Sequence, residues 1–210
     1  MTTRALLIRH GETDWNATGR WQGNAPVPLN DAGLAQARAL ATYLAAQPQR
    51  IDVLYSSPLP RARQSAQAIA DALRLPVLTD ERLREVDLGD WQGLSRVEVE
   101  AWDAERFAAY QANWYNMPIP NGESRRDLQA RARAAFDDIT ARHPGGTIGI
   151  VSHEGTLGML IESLLGPIER PSLSNTSLTV LEQTAPGAPW EPVAVGLAPH
   201  LDDLPLGETW

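Results

Sequence analysis

Two short apolar runs, Ala5-Leu6-Leu7-Ile8 and Ile148-Gly149-Ile150-Val151, show no polar alternation, and each gives way within two residues to a histidine, His10 or His153. An unbroken apolar run of this length predicts a strand buried on both faces. Between and beyond these runs the pattern is helical. Asn30 is placed to cap a run in which Leu34, Ala37, Ala41 and Leu44 share a face before Pro48. Asp52 to Ser56 predicts a second strand. The next helix takes Ser57 as its cap and Pro58 in its first turn, with Ala62, Ala66, Ile69, Ala70 and Leu73 on one face. Ser124 and Asp127 have capping-box spacing ahead of a stripe of Leu128, Ala132, Ala135, Phe136 and Ile139, and His153 precedes Leu157, Leu160, Ile161, Leu164 and Leu165. Alternating strands and helices make this an α/β chain. Two tail segments, Ser177 to Leu181 and Val193 to Val195, are expected to be edge strands.

Residues 86–122 differ in character. They carry Trp91, Trp102, Tyr110, Trp114 and Tyr115, with a capping box at Ser95 and Glu98, and predict a partly helical lid on a single domain spanning residues 1–210. No apolar run reaches the roughly 18 residues of a membrane span, and Leu6-Leu7-Ile8 is too short for a signal peptide. A cytoplasmic protein without membrane partners is expected.

Composition narrows the chemistry. Cysteine is absent, which excludes disulfides, thiolate metal sites and thiol catalysis. Lysine is absent too, so all 18 basic residues are arginine, and the net charge of −8 argues against nucleic-acid partners. Neither a Gly-x-Ser-x-Gly elbow nor a phosphate loop with its lysine occurs.

In open α/β sheets, ligands bind beyond the carboxyl ends of the strands, where Arg9-His10-Gly11-Glu12-Thr13 and Ser152-His153-Glu154-Gly155-Thr156 fall. Glycine shortly after each histidine allows close approach of a ligand to the backbone, and a helix start behind His153 suits an anion. Arg61 falls in the first turn of a helix, where its cation opposes the macrodipole by roughly 0.3–1 kcal/mol and calls for an anion nearby. A phosphoryl group fits these demands. With cysteine and lysine gone, neutral imidazole is the remaining good nucleophile. His10 is the candidate, with Arg9, Arg61 and His153 stabilising charge and Glu85 as the acid for a leaving alcohol. The plain alternative for Glu85 is a surface carboxylate paired with Arg84.

These residues carry a resemblance. Arg9-His10-Gly11-Glu12-Thr13, Ser56-Ser57-Pro58-Leu59-Pro60-Arg61-Ala62, Leu83-Arg84-Glu85 with Gly89-Asp90-Trp91-Gln92-Gly93, Gly122-Glu123-Ser124 and Ser152-His153-Glu154-Gly155 resemble, in order, the signature blocks of the histidine phosphatase superfamily, the phosphoglycerate-mutase-like proteins. The resemblance implies a three-layer α/β/α sandwich with a mostly parallel central sheet, no metal, no cofactor, and a phosphohistidine formed on His10. It implies that Arg9 and Arg61 bind phosphate, that His153 is the second pocket histidine, and that Glu85 is the proton donor and then the base for water. Asn16, Gln22, Gly23 and Glu154 are the matching substrate-binding candidates, and the main-chain N–H after His153 is expected to face the phosphate. A small phosphomonoester is the implied partner, and a homodimer the implied assembly.

Within such a family the lid separates phosphatase from mutase. Mutases resembling this sequence carry a longer insertion with basic residues gripping the substrate carboxylate and second phosphate, whereas here the insertion is short and lysine-free. Arg96 and Arg106 are expected on solvated helix faces. The expectation is therefore a phosphatase, with 2,3-bisphosphoglycerate-dependent mutase activity and a non-catalytic phospholigand-binding module as alternatives.

Overall fold

The computed structural model describes residues 1–48, 50–166 and 172–201. Six strands form one sheet: β1 (Thr3–Arg9), β2 (Val53–Ser56), β3 (Val77–Thr79), β4 (Thr147–Ser152), β5 (Leu178–Gln183) and β6 (Glu191–Leu197), in the order β3-β2-β4-β1-β5-β6. Strands β1 to β4 are mutually parallel, while β5 runs antiparallel to both β1 and β6. The helices are α1 (Asp14–Ala17), α2 (Asp31–Ala46), α3 (Pro60–Leu73), α4 (Arg96–Trp102), α5 (Ala104–Ala112), α6 (Arg125–Arg142) and α7 (Glu154–Leu165).

Alternate residues of β1 build two cores. Ala5 and Leu7 join Ala132, Phe136, Ile139, Leu157 and Leu160 of α6 and α7, whereas Leu6 and Ile8 join Leu40, Leu44, Ala62, Ala66 and Ile69 of α2 and α3. The apolar run is thus continuous because a helical layer covers each face of its strand. The result is the expected three-layer α/β/α sandwich. Caps foreseen at Asn30, Ser95 and Ser124 are formed, each accepting from the N–H three residues on.

Three local expectations are corrected. Strand β5 is not an edge, because Leu178 and Leu181 are buried in opposite cores between β1 and β6. The edge opposite β6 is β3, a three-residue strand with no periodicity to betray it. Helix α3 begins two residues later than Ser57 and Pro58 suggest: Leu59 is the cap and Pro60 the first helical residue. Pro60 fits there because the first helical N–H needs no intrahelical acceptor.

A third core, around Val86, Leu88, Trp91, Val99, Phe107, Tyr110 and Ile119, fastens residues 86–119 to Leu128 of α6 and Met159 of α7. Trp91 is fully buried, and its indole Nε1 donates to Asp103 at 2.8 Å. Most of the aromatic area of residues 86–119 is thus packed within this third core, although Trp102 stays 60% exposed. Among the described residues, no helix is long and apolar enough to cross a membrane.

Candidate active site

Register brings the site together. Arg9 pairs with Ser152 across β1 and β4, and Ser56 of β2 pairs with Val151, so His10, His153 and Ser57 leave three adjacent parallel strands at one edge. Their backbones stay tied after the strands end, through His10 N–H to the Ser152 carbonyl at 3.0 Å and Ser57 N–H to the Val151 carbonyl at 2.9 Å.

The two imidazoles lie 5.1 Å apart between ring centroids, tilted by 59°. His10 Nδ1 sits 2.7 Å from the Gly11 carbonyl oxygen, which can only accept, so Nδ1 carries the proton and Nε2 keeps a lone pair. Arg61 Nε donates toward that Nε2 at 3.2 Å. His153 Nε2 is 2.8 Å from Ser57 Oγ. Ser57 Oγ also accepts from the Leu59 N–H at 3.3 Å, which ties the serine between the His153 ring and the start of α3. The His153 Nδ1 is buried without a hydrogen-bond partner, and His153 stands behind His10 rather than on the cavity wall.

Arg61 is fully buried, not the solvated arginine that a helix start usually carries. Its Nη1 and Nη2 donate to the carbonyls of Ala25 at 2.9 Å and Gly23 at 2.7 Å, fixing the fork while Nε faces His10. Gly23 supplies that carbonyl at φ +49, where a Cβ would be strained and would crowd Gln92 and Leu88. Arg9 pairs with Glu154 at 2.8 Å and donates to the Leu173 carbonyl, while its buried Nε has no partner. Glu154 is thereby held at the cavity rim.

Burial, followed by the charges of Arg61 and Arg9, pushes His10 well below the usual histidine range. The same burial, then Arg61 and His10, does so for His153. Arg61 itself is lowered to about 10, chiefly by burial and partly offset by Glu85. Both imidazoles are therefore neutral bases among cations.

Glu85 does not pair with Arg84, which turns to Glu81 at 3.4 Å. Its carboxylate faces the cavity and accepts from Gly155 N–H at 3.0 Å, Thr156 Oγ1 at 3.2 Å and Val86 N–H at 2.8 Å. The first turn of α7 therefore spends the Gly155 N–H on Glu85. Arg131 clamps the backbone behind it, donating to the carbonyls of Arg82, Arg84 and Glu85 and pairing with Glu123.

The cavity measures about 520 Å³ and is lined at its floor by Arg9, His10, Arg61 and Glu85. Asn16, Gln22 and Gly23 line one side. Asn16 Oδ1 also closes the cap of α1 by accepting from Thr13, and the Gln22 Oε1 is buried without a partner. Arg96 reaches the wall but pairs with Glu100, and Arg106 turns away to Asp103 and Asp90. Sequence reasoning missed Arg125, which lines the wall, although a cation in a helix's first turn was the very signal that marked Arg61. It also assigned Ser57 to a helix cap instead of to His153.

A profile of the histidine phosphatase superfamily, branch 1, matches residues 5–194. The chain belongs to this superfamily. Phosphoglycerate mutase-like protein 4 of Arabidopsis thaliana is 38% identical, the match covering 94% of this chain and 86% of the relative. Phosphoserine phosphatase 1 of Hydrogenobacter thermophilus is 33% identical over 78% of this chain and 76% of its own. The solved mycobacterial glucosyl-3-phosphoglycerate phosphatase superimposes with a TM-score of 0.79 at 29% identity, covering 92% of this chain and 98% of that one. Superfamily members of both kinds, phosphatases and mutases, are phosphoryl-transfer enzymes, and the fold and the order of the motifs agree with membership.

Proposed function

We propose that the protein is a metal-independent phosphomonoesterase that hydrolyses small phosphorylated metabolites through a phosphohistidine on His10. The observation that carries this reading is the neutral His10, with Nδ1 held by Gly11 and the Nε2 lone pair presented beside Arg61. In the first step Nε2 bonds to phosphorus as the ester P–O bond breaks, and the leaving oxygen takes a proton from Glu85. Arg9 and Arg61 stabilise the charge on the transferring oxygens, with His153 held neutral behind His10. In the second step a water proton passes to the Glu85 carboxylate, the water oxygen bonds to phosphorus, and the P–N electron pair returns to Nε2. The guanidinium groups supply the countercharge that the phosphoryl oxygens require.

Hydrolysis is favoured over mutase activity because the lid offers little for a second phosphate. Arg106 is spent on Asp103 and Asp90, and Arg96 on Glu100. The relatives' names fall on both sides, so the test must separate them. A panel of sugar phosphates, nucleotides, phosphoglycerates and phosphoamino acids is assayed with and without 2,3-bisphosphoglycerate. A phosphatase releases free phosphate independently of that primer, and His10→Ala abolishes release. Primer-dependent conversion of 3-phosphoglycerate to 2-phosphoglycerate without free phosphate would overturn the reading in favour of a mutase.

A further inference from the structure

We propose that Arg131 and Glu123 are positioning residues for the acid: they set the Glu85 backbone against the two stems of the lid. Proton transfer at the leaving oxygen then depends on them, while attack by His10 does not. The proposal rests on the phosphomonoesterase reading of the same cavity, and it gives a part to Gly122-Glu123-Ser124, which the chemistry above leaves idle. Arg131 lies inside α6, half-buried, and all five of its N–H groups are engaged. Nε and Nη2 hold the Glu123 carboxylate at 2.7 and 2.9 Å, a bidentate pair. Nη1 donates to the carbonyls of Arg82 and Arg84 at 2.8 and 2.7 Å, and Nη2 to that of Glu85 at 2.8 Å. A guanidinium so occupied has no donor left for a ligand.

Around the acid, residues 84–88 form neither helix nor strand, and side chains supply the hydrogen bonds that a ladder would. Ser152 Oγ donates to the Leu83 carbonyl at 2.7 Å and Thr156 Oγ1 to that of Arg84 at 2.8 Å. The carbonyls of Arg82, Leu83, Arg84 and Glu85 are thus all caught by side chains of β4, α6 and α7. Glu85 directly precedes the lid and Glu123 directly follows it. The stems meet there: Glu123 N–H donates to the Asp87 carbonyl at 2.9 Å, and Asp87 N–H to Glu123 Oε2 at 3.3 Å. Gly122 permits the crossing, because a Cβ on it would stand 2.4 Å from the Asp87 carbonyl oxygen. Ser124 then caps α6, the helix that carries Arg131. Arg131 Nη2 joins the stems, bonded to Glu85 on one and to Glu123 on the other. His10 is held instead through Gly11, Arg61, Ser152, Asn175 and Thr176. Loss of Arg131 therefore loosens the acid and leaves the nucleophile in place.

The test varies the leaving group: alkyl and aryl phosphates of graded alcohol acidity are assayed with the wild type, Arg131→Lys and Glu123→Gln. Lysine keeps the charge but cannot span Glu123 and three carbonyls from one nitrogen. Arg131→Lys is expected to lower kcat/KM for an alkyl phosphate by on the order of 10- to 100-fold, within the roughly 10²–10⁴ that a general acid supplies. For p-nitrophenyl phosphate, whose phenolate leaves unprotonated, kcat/KM changes by less than about 3-fold. There kcat and KM fall together, because water attack on the phosphohistidine still waits for Glu85. Glu123→Gln shows the same pattern at smaller size, and carries the test if Arg131→Lys does not fold. Equal losses across the series, or wild-type kinetics in both variants, overturn the proposal. Amide hydrogen exchange supplies a readout independent of turnover: residues 82–88 exchange faster in the variants, and residues 5–9 do not. Unchanged exchange at 82–88 overturns the proposal as well. If no ester releases phosphate from the wild type, the phosphatase reading falls, and exchange at 82–88 alone decides whether Arg131 holds Glu85.

Discussion

Replacing Gly155 by alanine perturbs the proposed acid without touching the nucleophile. Gly155 is the second residue of α7, with a helical neighbour on each side, and alanine is preferred there by roughly 0.5–1 kcal/mol. The added Cβ would stand 2.6 Å from Glu85 Oε1 and 3.2 Å from its Cδ. Ordinary contact begins at 3.4 Å, so the carboxylate must withdraw by about 0.8 Å. Both crowded groups, Glu85 and Arg125, are ends of flexible side chains, and the fold should therefore survive. A displacement near 1 Å costs on the order of 100-fold in a positioned reaction, and general acid catalysis contributes roughly 10²–10⁴. Gly155→Ala is expected to lower kcat/KM for an alkyl phosphate by about 100-fold. It should spare p-nitrophenyl phosphate, whose leaving phenolate needs no proton. Steady-state kinetics on both esters and a urea titration check this. Equal losses on the two esters, with stability intact, would refute Glu85 as the acid.

Removing the lid's central side chain with Trp91→Ala deletes its packing against Trp21, Phe107 and Tyr110 and should cost about 3–5 kcal/mol in urea unfolding. A cost below about 1 kcal/mol would contradict the lid as a packed core. The two depressed histidines give stability a definite pH dependence. Both stay neutral in the folded protein while the unfolded chain gains protons below about pH 6.5, so stability holds above that value and falls as pH drops through it. The slope contributed by each is at most about 1.4 kcal/mol per pH unit. Urea midpoints between pH 7.5 and 5 should fall less steeply in His153→Asn than in the wild type, and an unchanged slope would contradict the buried neutral imidazole.

The centre of the sheet was readable because β1 and β4 are buried on both faces: Ala5 to Ile8 and Ile148 to Val151 are apolar without alternation, and each ends where charge begins. Arg9, His10, Arg61 and His153 stood out because cations and imidazoles at strand ends and helix starts need a reason to be there, and Glu85 was reached from the need for an acid beside a leaving alcohol. Strand β3 was not readable, since three residues, two of them exposed, hold no period. The start of α3 misled because both Ser57-Pro58 and Leu59-Pro60 offer a cap followed by proline; the contact that decides between them, Ser57 with His153, spans 96 positions. Arg131 was equally hidden. Its role depends on three carbonyls presented by the turn before Glu85, which a helix-face pattern cannot reveal.

The central claim is that the His10 imidazole carries the substrate's phosphorus between two steps. Rapid mixing with substrate, a quench that avoids acid, and peptide mass spectrometry measure this directly. The account predicts one phosphoryl group on His10, forming faster than phosphate is released and absent from His10→Ala. Turnover that proceeds with no phosphoryl group on that residue at any mixing time, or with the group on another side chain, would contradict it.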